Sequence, residues 1–119
     1  GGGGGGGAEE ARRYAALAVA NLSSEAENQA AMSAVPSIFR DLAGLLGTTD
    51  RETRCYAVGS LANLAYRSPD NQRRISAVPG ALEGLARILA TEGDAPDLCR
   101  HSARALANIS RGGGGGGGG

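Results

Sequence analysis

One twelve-residue stretch occurs three times in this chain and constrains the fold more than any other feature. Arg12-Arg13-Tyr14-Ala15-Ala16-Leu17-Ala18-Val19-Ala20-Asn21-Leu22-Ser23 is followed by Arg54-Cys55-Tyr56-Ala57-Val58-Gly59-Ser60-Leu61-Ala62-Asn63-Leu64-Ala65, and then by Cys99-Arg100-His101-Ser102-Ala103-Arg104-Ala105-Leu106-Ala107-Asn108-Ile109-Ser110. Each copy closes on Ala-Asn followed by Leu or Ile, and the asparagines stand 42 and then 45 residues apart. A second element alternates with the first: Asn28-Gln29 with Ser33-Ala34-Val35-Pro36, then Asn71-Gln72 with Ser76-Ala77-Val78-Pro79. A period in the low forties with two alternating elements is the signature of a repeat array, in which each unit buries its apolar face against its neighbours.

The periodicity within each unit is helical. Ala8 to about Leu22 is rich in Ala, Leu, Arg and Glu and free of Gly and Pro, as an α-helix requires. Ala15, Ala16, Val19 and Leu22 fall on one face at 100° per residue, with Tyr14, Leu17 and Asn21 opposite. The same two stripes recur as Ala57, Val58, Leu61 and Leu64 against Tyr56, Gly59 and Asn63, and as Ser102, Ala103, Leu106 and Ile109 against His101, Arg104 and Asn108. Three long helices are therefore expected, at about 8–22, 50–66 and 95–111. Between them, shorter helices are predicted from Asn28 to Val35, with Met32 and Val35 apolar, and again with Ile75 and Val78. Each is followed by a proline turn and by an amphipathic helix: Ile38, Phe39, Leu42, Leu45 and Leu46, then Ala81, Leu82, Leu85, Ile88 and Leu89. Ser37 is placed to cap the first of these, Gly47 to end it, and Thr49-Asp50-Arg51-Glu52 reads as a capping box. Asp94-Ala95-Pro96-Asp97 matches that segment at the last long helix, with proline tolerated in the first turn.

Composition narrows the function. The 119 residues include homopolymers at Gly1–Gly7 and Gly112–Gly119. Residues 8–111 form one small domain, and the tails are expected to be flexible, since poly-Gly has the most backbone entropy to lose. The chain has no lysine, so a phosphate-cradling Gly-rich loop with its lysine is excluded. Net charge is zero and aromatic content 3%, which gives neither the basic footprint nor the stacking platform of a nucleic-acid binder. No apolar run reaches membrane-spanning length and no signal-peptide pattern opens the chain. Cys55 and Cys99 form no C-x-x-C; they read as reduced thiols, and an intracellular protein, cytoplasmic or nuclear, is expected.

In this order of elements the chain resembles the armadillo-repeat family. Asn71, Ile75 and Gly80-Ala81-Leu82-Glu83-Gly84-Leu85-Ala86-Arg87-Ile88-Leu89 are similar to that family's second-helix core, and Cys55 to Ala65 to its third-helix signature. The likeness covers nearly everything between the glycine tails, about two and a third repeats, where such arrays generally hold three or more. It implies a right-handed α-solenoid, an armadillo-type superhelix whose third helices line a concave groove. In members such as importin-α and β-catenin an asparagine ladder on those helices holds the backbone of an extended peptide, and Asn21, Asn63 and Asn108 occupy that position. A carboxamide offers donors and an acceptor together, which suits it to a peptide N–H and C=O. Leu17, Gly59 and Arg104 stand where importin-α carries tryptophan, so the likeness does not extend to cargo held by its lysine stems.

The expected function is a protein-interaction scaffold that binds an extended peptide segment, with Asn21, Asn63 and Asn108 at its centre. Tyr14, Tyr56 and His101 lie on the same stripe and serve either contact with the ligand or packing between adjacent helices. Arg104 with His101 would favour acidic side chains or form a solvated charged face. Cys99 and His101, two apart on a helix, point to different sides, so no metal ligand set and no Cys–His nucleophile pair is expected. With one histidine and no acid–base cluster, no catalytic residue, cofactor or enzymatic activity is expected. Two further readings stand beside this one. The solenoid surface could regulate or adapt a small GTPase, or the module could be architectural and self-associate end to end.

Overall fold

The computed structural model describes residues 3–91 and 96–118. Among them lie seven helices and no strand: α1 (Gly3–Leu22), α2 (Ala26–Ser33), α3 (Ile38–Leu45), α4 (Arg51–Ala65), α5 (Pro69–Ser76), α6 (Ala81–Thr91) and α7 (Pro96–Gly118). The long–short–medium–long alternation expected from the repeat is present. Where flexible tails are expected, α1 starts at Gly3 and α7 continues to Gly118. Glycine is about 1 kcal/mol less favourable than alanine per helical residue, so these turns are the first to fray. Gly1, Gly2, Gly119 and the Asp94-Ala95 part of the last capping segment lie outside the described residues.

α4 packs between α1 and α7; α3 lies against α4 and reaches α6, which packs on α7. The apolar stripe of α4 is the centre of the core: Ala57, Val58 and Leu61 are fully buried and Leu64 nearly so. Coverage is less complete on other helices: Leu22 of α1 is 50% exposed, and Leu82 and Leu89 of α6 are 37% and 40% exposed. Ala15 and Ala103, both on predicted apolar stripes, are exposed, while Ala105, off the stripe, is buried, so the buried face of α7 is turned from the expected one.

Local signals moved by a residue or two. α2 starts at Ala26 and ends at Ser33, leaving Val35 outside it and 46% exposed. Ser37 does not cap α3: its hydroxyl donates to Asp41 Oδ2 at 2.8 Å. Asp50, not Thr49, caps α4, because one carboxylate oxygen can accept from both the Thr53 N–H at 2.9 Å and the Thr53 hydroxyl at 2.6 Å. α4 stops where Arg67 takes φ 53°, and Ser68 with Pro69 starts α5. Gly80, at φ 85°, turns the chain into α6.

Candidate functional site

Asn21 and Asn63 sit near the ends of α1 and α4 and Asn108 in mid-α7, and the structure separates the three into different roles. Asn63 Nδ2 donates to Ser23 Oγ of the turn after α1 at 3.1 Å. Its Oδ1 accepts from an Arg104 guanidinium N–H on α7 at 3.3 Å, and Ser23 Oγ in turn donates to Ala20 O at 2.8 Å. One polar chain thus runs from α7 through α4 to α1, joining two of the predicted site residues, Asn63 and Arg104. Asn108 Nδ2 donates to Ala62 O at 3.1 Å. Asn21 is exposed.

Asn108 belongs to a complete set of caps. The last four carbonyls of a helix have no partner within it. In α4, Ala62 O accepts from Asn108, Asn63 O from the Tyr66 N–H at 3.3 Å, Leu64 O from Asn71 Nδ2 at 2.9 Å and Ala65 O from Gln72 Nε2 at 2.7 Å. Asn71 and Gln72 are buried, where an unpaired amide would be costly. The counterpart of Gln72, Gln29, donates likewise to Ser23 O at 2.7 Å behind α1. The glutamine of the recurring Asn-Gln pair therefore ties each short helix to the end of the long helix before it, and in α5 the asparagine joins it. Its repetition was visible in sequence, but which carbonyls it meets depends on how the chain folds back after the turn.

The remaining predicted site residues spread along the same side. Tyr14 is 62% exposed, and Tyr56 and His101 are half-buried. Gly59 leaves an opening in mid-α4, since a Cβ there would meet nothing within 4 Å. The face thus offers a gap at Gly59, an exposed carboxamide at Asn21, an exposed aromatic at Tyr14 and the cation of Arg104.

Two features were not anticipated. A cleft of about 510 Å³ opens between α2 and the α4–α5 turn, with Gln29, Ser33, Tyr66, Arg67, Asp70 and Asn71 among its lining residues. Tyr66 is 52% exposed, with the Arg67 guanidinium 5.5 Å from its ring centroid; an aromatic just before Arg-Ser-Pro was the available signal. Arg74 stacks 4.6 Å over the Phe39 ring and donates to Ser33 O at 2.7 Å, clamping one repeat to the previous one.

An ion pair links α1 to the start of α4. Arg13 Nε reaches from α1 to Asp50 Oδ2 at 3.1 Å. The Thr53 hydroxyl, its N–H and Arg13 together hold the Asp50 carboxyl below the ordinary carboxylate range against the opposing effect of burial. Burial, with Asp97 and Glu52 nearby, pushes the Cys55 thiol up, away from the thiolate a nucleophile needs. Cys99 is half-buried, its thiol 3.8 Å from Ile88 O. No cluster of three or more His, Cys, Asp or Glu able to hold a metal occurs among the described residues. No helix among them is long and apolar enough to cross a membrane. Comparison of the chain with family models, with curated proteins and with solved structures finds no match.

Proposed function

We propose that this chain is a protein-interaction scaffold, a right-handed armadillo-type solenoid that binds an extended peptide segment across α1, α4 and α7. The observation that carries the reading is the polar chain Arg104–Asn63–Ser23, with Asn108 one turn further along α7. It sets carboxamides at the same position of adjoining helices on the side away from the core stripe. In the unliganded protein the Asn63 carboxamide is satisfied on both sides by its neighbours. Peptide binding then exchanges the long Arg104–Asn63 bond for one donated to Asn63 Oδ1 by a peptide backbone N–H, releasing Arg104 toward an acidic side chain. Asn21 and the opening at Gly59 lie on the route of the same strand.

The test must separate recognition from folding, because Asn63 and Asn108 also hold helices together. Asn21→Ala, Arg104→Ala and Gly59→Trp alter the face with little effect on the core. Lysate pull-downs with these variants and the wild-type chain, all verified as helical by circular dichroism, are expected to show one partner retained by wild type and weakened in each variant. A partner held equally by all four proteins would sink peptide recognition on this face. If that partner were a small GTPase, its nucleotide-release rate would decide for the regulatory reading.

A further inference from the structure

The groove between α1 and α3 is an empty copy of a seat that is filled one repeat later. Ala15, Ala16 and Val19 of α1 and Ile38, Leu42 and Leu45 of α3 line a groove of about 220 Å³, with Arg12 and Asp41 in its wall. Their counterparts one repeat on are Ala57, Val58 and Leu61 of α4 and Ala81, Leu85 and Ile88 of α6. Each of these is at most 3% exposed. The helix on that side of them is α3, which lies against both α4 and α6.

Two polar positions say what the empty seat would accept. The counterpart of Arg12 is Arg54, whose guanidinium donates to Thr48 O at 2.8 Å, just past the end of α3. An arginine in this position thus receives the carbonyl end of a seated helix. The counterpart of Asp41 is Gly84, where an added Cβ would stand 3.0 Å from Leu46 Cδ1 and 3.2 Å from Leu46 Cβ. The filled seat therefore presses a leucine onto a bare glycine, whereas the empty one presents a carboxylate at that point. A leucine there would desolvate Asp41 without pairing it, and a cation would neutralise it. A cation also suits the last turn of a helix.

We propose that this groove seats one amphipathic helix of a protein partner, packed as α3 packs on α4 and α6, with its C-terminal carbonyls on Arg12 and an arginine or lysine against Asp41 where α3 carries Leu46. A second copy of this chain fits poorly: the helix equivalent to α3 with an uncovered face is α6, and it carries Leu89 at that position. The inference rests on the internal repetition and is independent of peptide binding on the long-helix face.

The test uses a lactam-stapled, fluorescein-labelled peptide with the sequence of residues 35–48, unaltered, with Leu46→Arg, with Leu46→Glu, and scrambled. Fluorescence anisotropy against the full chain should show the Leu46→Arg peptide binding about tenfold more tightly than the unaltered one, equivalent to about 1.4 kcal/mol. Asp41→Arg in the protein should invert the preference toward the Leu46→Glu peptide, and Arg12→Ala should weaken all helical peptides together. Both residues are surface-accessible, and circular dichroism checks the fold. Equal affinity for the Arg and Glu peptides, binding of the scrambled peptide as tight as the rest, or no saturation by 1 mM peptide would overturn the proposal. So would sedimentation of the wild-type chain as a dimer that the peptides do not dissociate.

Discussion

Single residues in this protein are decided by what the neighbouring repeat leaves room for. Gly59 and Gly84 both lie in helix interiors, yet only Gly84 is pressed by another helix. Gly59→Ala should raise stability by about 0.5–1 kcal/mol, the helix-propensity gain with no steric cost; a lower urea midpoint for the variant would contradict the open space seen there. Asp50 carries a different prediction. Asp50→Ala removes the α4 cap and should cost about 1 kcal/mol near neutral pH. Because the Asp50 carboxyl is held below its ordinary range, its stabilisation is present above that range and is lost as pH falls through the lowered value. Denaturation curves of the two proteins should therefore converge in acid; a gap that stays constant would show that the ionised carboxylate is not what caps the helix. The sequence placed all seven predicted site residues on one stripe. It could not distinguish Asn21, which is exposed, from Asn63 and Asn108, whose amides are engaged by α1 and α4. Hydrogen-bond partners 40 and 46 residues away are set by how the helices stack.

At the scale of elements, a small number of joints holds the repeats together. A buried Asn-Gln pair closes the end of the preceding long helix, an arginine receives the carbonyl after α3, and Leu46 rests on Gly84. Gly84→Asp copies the residue found at the equivalent place in the open groove, Asp41, into the closed interface. It buries an unpaired carboxylate against Leu46 and should cost about 3 kcal/mol or more; an equilibrium melt with an unchanged midpoint would show that α3 and α6 separate without penalty. Helix type and order were readable because the apolar spacing repeats. The caps were read less well: Thr49 gave way to Asp50 and Ser37 turned to Asp41, since several adjacent polar side chains compete for the same N–H groups and only their final geometry chooses.

Across the whole molecule, stability concentrates in the middle and falls toward both ends. α4 is covered on both sides by α1 and α7, whereas α1 and α6–α7 each keep an uncovered apolar face. Deleting Gly1–Gly7 and Gly112–Gly119 should leave the melting temperature within about 2 °C, because those helical turns consist of the residue with the weakest helix propensity among non-prolines. A larger fall on deletion would show that the glycine turns support the domain, and hydrogen exchange should find their amides the least protected. By itself the sequence determined that the chain is all-α, that its long helices recur, and, in α4, which residues form the apolar face. Those properties follow from local periodicity, which any helix of this sequence must express. Only the tertiary structure decided that Asn63 is satisfied between Ser23 and Arg104, that Asn71-Gln72 caps α4, and that Asp41 stands where the interior demands a glycine. The first and last depend on contacts between residues some forty apart in the chain, fixed when one helix packs against the next; the cap depends on how the chain folds back over seven residues, which the residues of neither helix fix alone.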